Sequence, residues 1–261
     1  MRYYKYSYCI LLVICLFPFC KENNPIDICL GFENKVYKYS IYNCTEADSL
    51  DCYQKRLKSV LLPEQYLKCS STDSLTRTCL NYPFLPNIWL YNTLQQGFDH
   101  VKDVFNGFDG LFKRENTNTE LMKIYQGMNP ANVDTISDPV SRGAFMSQFT
   151  FIEITLAQYQ LIDKLNKEEG KTLIDLCLDK YNIKSSIPSY TWVGSMSTLA
   201  IIARILYTAN YEPFVNLIPA NQNLEYFIQY ADFDGMSPDI INEITQIMIS
   251  DANNYTSGLN K

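Results

Sequence analysis

The chain has 261 residues, 47% of them hydrophobic, and 28 acids against 22 lysines and arginines give a net charge of −6. That length supports one large domain or two small ones. An acidic balance without a basic cluster excludes nucleic acid as a partner and electrostatic docking on anionic lipid.

The chain opens with "MRYYKYSY", which carries Arg2 and Lys5 and no acid, and the apolar run "CILLVICLFPF" follows. A run of about a dozen residues has the length of a signal-peptide core and is too short to cross a bilayer. No later segment is apolar for long enough to cross one. Residues 1–19 therefore read as a signal peptide. Phe17 and Phe19 stand where signal peptidase wants small residues, which counts against ordinary cleavage. Cys20 ends the apolar run just before polar "KENN", the position of the lipidated cysteine in a bacterial lipoprotein. Phe19 is bulky for the residue before such a site. The expectation is a protein tethered by lipid on Cys20 to the cell envelope or outer surface. Plain secretion and an uncleaved anchor are the alternatives. Without residues 1–19, 20 basic residues oppose 28 acids, a net charge of −8.

Residues 20–60 form a cysteine-rich arm. Cys29, Cys44, Cys52, Cys69 and Cys79 all precede residue 80, and in an oxidising compartment such clustering predicts disulfides. Cys44 and Cys52 are the preferred pair, because the loop between them is short and polar. Cys29 has Cys69 or another partner, and Cys177 in "LIDLCLDKY" reads as a buried helix residue. No close CxxC spacing exists, so no zinc site is expected. In "NKVYKYSIYN", Tyr37, Tyr39 and Ile41 alternate as on a short strand, which predicts a small β-hairpin or an extended arm.

From residue 61 to 261 the pattern is helical. Pro63 and Glu64 mark a first turn. "SSTDSLTRTCLNYP" starts on hydroxyl caps, turns Leu75, Cys79 and Tyr82 inward, and stops before Pro83. "TLQQGFDHVKDVFNG" spaces Leu94, Phe98, Val101 and Phe105 by three and four, with Gly107 as its end. The short "NTELMKIYQGM" follows. Next comes a long helix, "DPVSRGAFMSQFTFIEITLAQYQLIDKLN", capped by Asp138 with Pro139 at its first position. "KEEGKTLIDLCLDKYN" precedes "WVGSMSTLAIIARILYTANY", which is apolar nearly all round and therefore central. "NLEYFIQYA" and "SPDIINEITQIMISDANN" complete the set. Short connections predict antiparallel neighbours in one all-α, multi-helix domain.

Catalytic signatures are missing from the sequence. The single histidine, His100, lies mid-helix between Asp99 and Asp103, which removes HExxH and leaves no histidine-rich metal site. There is no GxSxG, GxxxxGK[ST] or GxGxxG. "GSMST" at residues 194–198 reads as the small-residue start of the central helix. No catalytic residue, metal or cofactor is assigned. Glu153 in "FTFIEITLAQ" and Arg204 in "LAIIARILYT" are lone charges inside apolar runs. A buried charge needs a partner, so the economical expectation is that these two form a buried ion pair across central helices. The alternative is a carboxylate-dependent hydrolase with a pocket near Glu153, though a glycosidase would need a second, suitably spaced acid. The abundance of Tyr and Phe suits a protein or glycan ligand.

Three tripeptides, "DSL" at residues 48–50 and 73–75 and "DTI" at 134–136, resemble Asp-Ser/Thr-aliphatic sites that receive O-glycans in some exported proteins of gut anaerobes. "NCT" at Asn43 and "NYT" at Asn254 have the form of N-glycan acceptors. Over residues 61–218, "LPEQYLKCSSTDSLTRTCLNYPF", "YNTLQQGFDHVKDVFNGFDGLFKR", "LMKIYQGMNP" and "STLAIIARILYTANYEPF" together resemble a group of uncharacterised exported helical proteins of gut-type bacteria. The resemblance implies an all-helical extracytoplasmic protein, often lipid-anchored, and carries no activity with it. The expected function is binding or scaffolding by an anchored helical protein.

Overall fold

The computed structural model describes Cys29, residues 31–44 and residues 50–258; Cys20 and the signal segment lie outside them. The described residues form helices and connections with no strand, which is the all-α class expected. Residues 35–44 are extended but pair with no second strand. Instead the arm lies along the body and gives its polar groups to side chains there. The Tyr37 amide donates to Thr78 Oγ1 at 3.0 Å, the Tyr39 hydroxyl to the Thr78 carbonyl at 2.9 Å, and the Tyr66 hydroxyl to the Lys35 carbonyl at 2.8 Å. Tyr37 and Tyr39 pack on the core, while Ile41, predicted on the same face, is 48% exposed. Side-chain partners replace the ladder a hairpin would need.

Both ends of this arm are stapled. Cys29 is bonded to Cys69 at the end of α2 (Glu64–Cys69), and Cys44 to Cys52 in α1 (Leu50–Ser59). Cys79, expected among the bridging cysteines, is a free buried thiol in α3 (Thr72–Leu80), as is Cys177 elsewhere in the core. Cys79 lies fully buried in the core, while the two bonds that form tie the arm's ends to Cys69 and Cys52.

α4 (Leu94–Val104) ends earlier than its pattern predicts, and α5 (Asn106–Phe112) begins at once. The break lies at Phe105, whose ring stacks on Tyr82 with centroids 3.9 Å apart. Asn106 then clamps Leu62 by bonds to its amide and carbonyl, at 2.9 and 2.8 Å. Gly107 is therefore not a stop but the first turn of α5. A Cβ there would lie 2.4 Å from the Phe105 ring, so only glycine fits. Gly97 of α4 has the same role toward the 3₁₀ segment Leu85–Leu90, where a Cβ would meet the Ile88 carbonyl oxygen at 2.1 Å.

After α6 (Thr117–Gly127), α7 (Pro139–Leu156) starts on the predicted Asp138 cap, with Asp138 accepting from the Ser141 amide at 2.7 Å. α7 also stops short of its pattern, and the single turn α8 (Tyr159–Ile162) follows. α9 (Lys167–Ser185) opens on a capping box between Asn166 and Glu169. α10 (Trp192–Thr208) is the axis of the fold: it touches α7, α8, α9, α11 (Glu212–Val215), α12 (Gln222–Tyr230) and α13 (Pro238–Gly258). Every residue from Ser195 to Leu206 is buried, as an all-round apolar helix requires. Among the described residues no single helix is long and apolar enough to cross a membrane.

Candidate functional site

Glu153 and Arg204 are both fully buried, but they do not meet. Glu153 pairs with Lys184 of α9, whose ammonium lies 2.8 Å from each carboxylate oxygen. Three hydroxyls complete the carboxylate's shell. Tyr125 of α6 donates to Oε1 at 2.8 Å, Thr198 of α10 to Oε1 at 2.9 Å, and Ser197 of α10 to Oε2 at 2.6 Å. The ammonium also donates to the Gly194 carbonyl at 2.9 Å and to Thr198 Oγ1 at 3.0 Å. The rings of Phe149 and Tyr190 flank it, with centroids 5.1 and 5.6 Å away. Four helices thus converge on one carboxylate, and neither charged side chain exposes any surface.

Arg204 solves the same problem without a carboxylate. Its guanidinium donates to the Ile228 carbonyl at 2.9 Å, the Gln229 carbonyl at 2.9 Å, the Ala157 carbonyl at 3.0 Å and Gln95 Oε1 at 2.7 Å. Those backbone carbonyls belong to the C-terminal ends of α12 and α7, where acceptors lack intrahelical donors and the helix dipole is negative. The Tyr159 ring covers the guanidinium at 5.1 Å. Burial lowers the arginine's pKa from its ordinary value. The expected Glu153–Arg204 pair is therefore replaced by two separate arrangements. Each charge is satisfied by the elements nearest it: Glu153 by its neighbours on α6, α9 and α10, Arg204 by two helix ends.

The closed network has no nucleophile in working order. Ser197 uses its hydroxyl proton on Glu153, and Lys184 is wholly occupied as a donor, so it has no free pair with which to act as a base. Burial and the Glu153 charge push the phenol of Tyr125 and the thiol of Cys177 upward, leaving both protonated donors rather than nucleophiles. Among the described residues no second carboxylate hydrogen-bonds to Glu153 or Lys184. His100 is half-buried on α4 with its ring 4.8 Å from that of Tyr91. Among the described residues no group of three or more His, Cys, Asp or Glu side chains is placed to hold a metal.

Lys184 was legible in principle. Leu173, Cys177, Lys180 and Lys184 recur at the spacing of one helical face. Lys180, on the same stripe, donates to the Met128 carbonyl and places its ammonium 5.8 Å from the Tyr125 ring centroid.

Among the concavities that the described residues form, two bear on function. The first, of about 900 Å³, opens where α10 and α13 end and α9 begins, with Asp163, Asn210, Glu212 and Tyr255 among its lining. The second, of about 700 Å³, runs between the end of α3, the segment Leu85–Leu90 and the first half of α7. Its walls mix apolar Trp89, Pro86, Val140 and Phe151 with polar Asn81, Ser147 and Gln148, and no acid lines it. Its one charge, Arg77, is held by Asp73 at 3.0 Å. Tyr82 lines this groove, is only 2% exposed, and has a buried hydroxyl with no hydrogen-bond partner.

The candidate O-glycan tripeptides fare differently. Ser74 is buried and bonded to Ser71, whereas Thr135 is exposed; Asp48 and Ser49 lie outside the described residues. No protein-family model, curated protein or solved structure matches the chain.

Proposed function

We propose that this chain is an exported, helical binding protein, anchored by lipid on Cys20, that takes an apolar segment of a partner protein into the groove between Trp89 and Val140. It is read as non-catalytic. The observation that carries this reading is the closure of the Glu153 site, where the one candidate catalytic acid is sealed and saturated by Lys184, Tyr125, Ser197 and Thr198. A hydrolase would need that acid to face substrate and water.

The groove has the chemistry of a peptide site. Trp89 is 41% exposed, Leu90 beside it 77%, and Val140 on the opposite wall 80%. Large apolar side chains left open in this way mark binding faces when they cluster. The groove's volume suits a few side chains rather than a whole domain face. The molecule is acidic elsewhere, so the acid-free groove is where an apolar or acidic partner meets least repulsion. Two disulfides support an oxidising compartment, and the resemblance to exported helical proteins agrees with it.

The test is selection of a random peptide library on the purified protein. Apolar peptides should be enriched, and their affinity should fall at least ten-fold on Trp89→Ser and Val140→Asp, both open positions whose substitution leaves the core intact. Lack of enrichment, or peptides that bind both variants as they bind the parent, would refute the groove reading.

A further inference from the structure

The cleft at the far end of α10 shares no lining residue with the groove. We infer that it is a second binding site, for a neutral sugar, built on Asn210, Tyr211, Glu212, Asn254, Tyr255 and Asp163.

The argument begins with what these side chains do not do. Some asparagines in the protein are employed, as Asn106 clamps Leu62, Asn118 donates to the Leu161 carbonyl, and Asn166 and Asn221 cap helices. The side chains of Asn210 and Asn254 have no hydrogen bond within the described residues, and neither do Asp163, Glu212, Tyr211 and Tyr255. Six polar side chains from three parts of the chain therefore border one cleft with no hydrogen-bond partner among the described residues, so their partners are waters that a polar ligand can displace. The backbone that carries them sets where they stand. Asn210 adopts the left-handed conformation, φ 50°, just past the end of α10, and its amide donates to the Tyr207 carbonyl at 3.0 Å. That turn carries Tyr211 and Glu212 round to the cleft. Asn254 and Tyr255 sit on the last turns of α13.

The lining selects among ligand classes. Lys167 is its one cation against Asp163 and Glu212, so phosphates and other anions are disfavoured. The polar border disfavours an acyl chain. The deeper wall is apolar, with Leu165, Gly170 and Ile205, and the rings of Tyr211 and Tyr255 meet edge to face with centroids 5.3 Å apart. A sugar ring has one C–H-rich face for an aromatic wall and a rim of hydroxyls, each both donor and acceptor. Amides supply both functions and carboxylates accept, which is the set present here. A volume of about 900 Å³ admits one or two sugar rings.

The experiment is saturation-transfer NMR on the full chain with four probes: the methyl glycosides of glucose, galactose, mannose and N-acetylglucosamine. Choline and spermidine serve as cationic controls. At least one glycoside should receive saturation, and its affinity should fall at least ten-fold in Asn254→Ala and in Tyr255→Ala. Asn254 is exposed, so its variant should retain the parent's melting temperature and separate lost binding from lost folding. The inference is overturned if no glycoside binds, if binding persists in Asn254→Ala, or if only a cation gives a signal sensitive to that substitution. None of these results bears on peptide binding at the Trp89 groove.

Discussion

At the residue scale, the two buried charges show how one physical constraint has two solutions. A charge removed from water must recover its lost solvation from fixed dipoles or an opposite charge. Glu153 recovers it from an ammonium and three hydroxyls, and Arg204 from carbonyls at two helix ends, with Gln95 and the Tyr159 ring. The sequence pattern located both buried charges, since each interrupts an apolar run. It did not locate their partners, because pairing depends on which faces of α7, α9 and α10 the tertiary fold brings together. Arg204→Met should strand the Ala157, Ile228 and Gln229 carbonyls and cost at least about 2 kcal/mol in urea unfolding. Arg204→Lys should fail to restore it, because a single ammonium cannot span two helix ends as the guanidinium fork does. Full rescue by lysine would show that charge alone matters there.

At the scale of elements, caps and stripes were readable and breaks were not. Asp138 with Pro139 announced the start of α7, and the all-round apolar run announced the central α10. The breaks at Phe105 and after Leu156 carry no local signal. They arise because Phe105 stacks on Tyr82 and because the Ala157 carbonyl is given to Arg204. For the arm the sequence left a hairpin and an extended arm open, and the contacts to Thr78 and Tyr66 that take the place of a second strand were not readable in it. Close contact between α4 and the Leu85–Leu90 segment leads to a sharp expectation. Gly97→Ala should destabilise the protein by about 1–3 kcal/mol through its collision with the Ile88 backbone, seen as a lowered melting temperature. An unchanged melting temperature would mean that this contact is looser than described.

The staples are elements too. Alkylation of denatured, unreduced protein should label Cys79 and Cys177 and spare Cys29, Cys44, Cys52 and Cys69. The folded protein should label at neither free thiol, since burial holds both in the protonated form. In the chain-entropy view, the Cys29–Cys69 bond, with 40 residues of separation, should contribute about 1.4 kcal/mol more than Cys44–Cys52, with 8. Equal losses from Cys69→Ser and Cys52→Ser would contradict that ordering.

At the scale of the whole molecule, an acidic body has no electrostatic reason to reside at an anionic membrane, so the proposed residence there would depend on the covalent lipid proposed for Cys20. Cys20→Ser expressed in a bacterial host should move from the membrane to the soluble exported fraction; unaltered fractionation would remove the anchor from the account. The body itself is held at the junction of α6, α7, α9 and α10, where the Glu153 network ties four helices to one point. The central claim is that this network serves the fold and not catalysis. A double-mutant cycle in urea unfolding tests it directly, with Glu153→Gln, Lys184→Met and both together. Each single change should cost about 3–5 kcal/mol by stranding a buried partner, and the double should cost clearly less than their sum. Additive losses, or single variants within about 0.5 kcal/mol of the parent, would contradict the account.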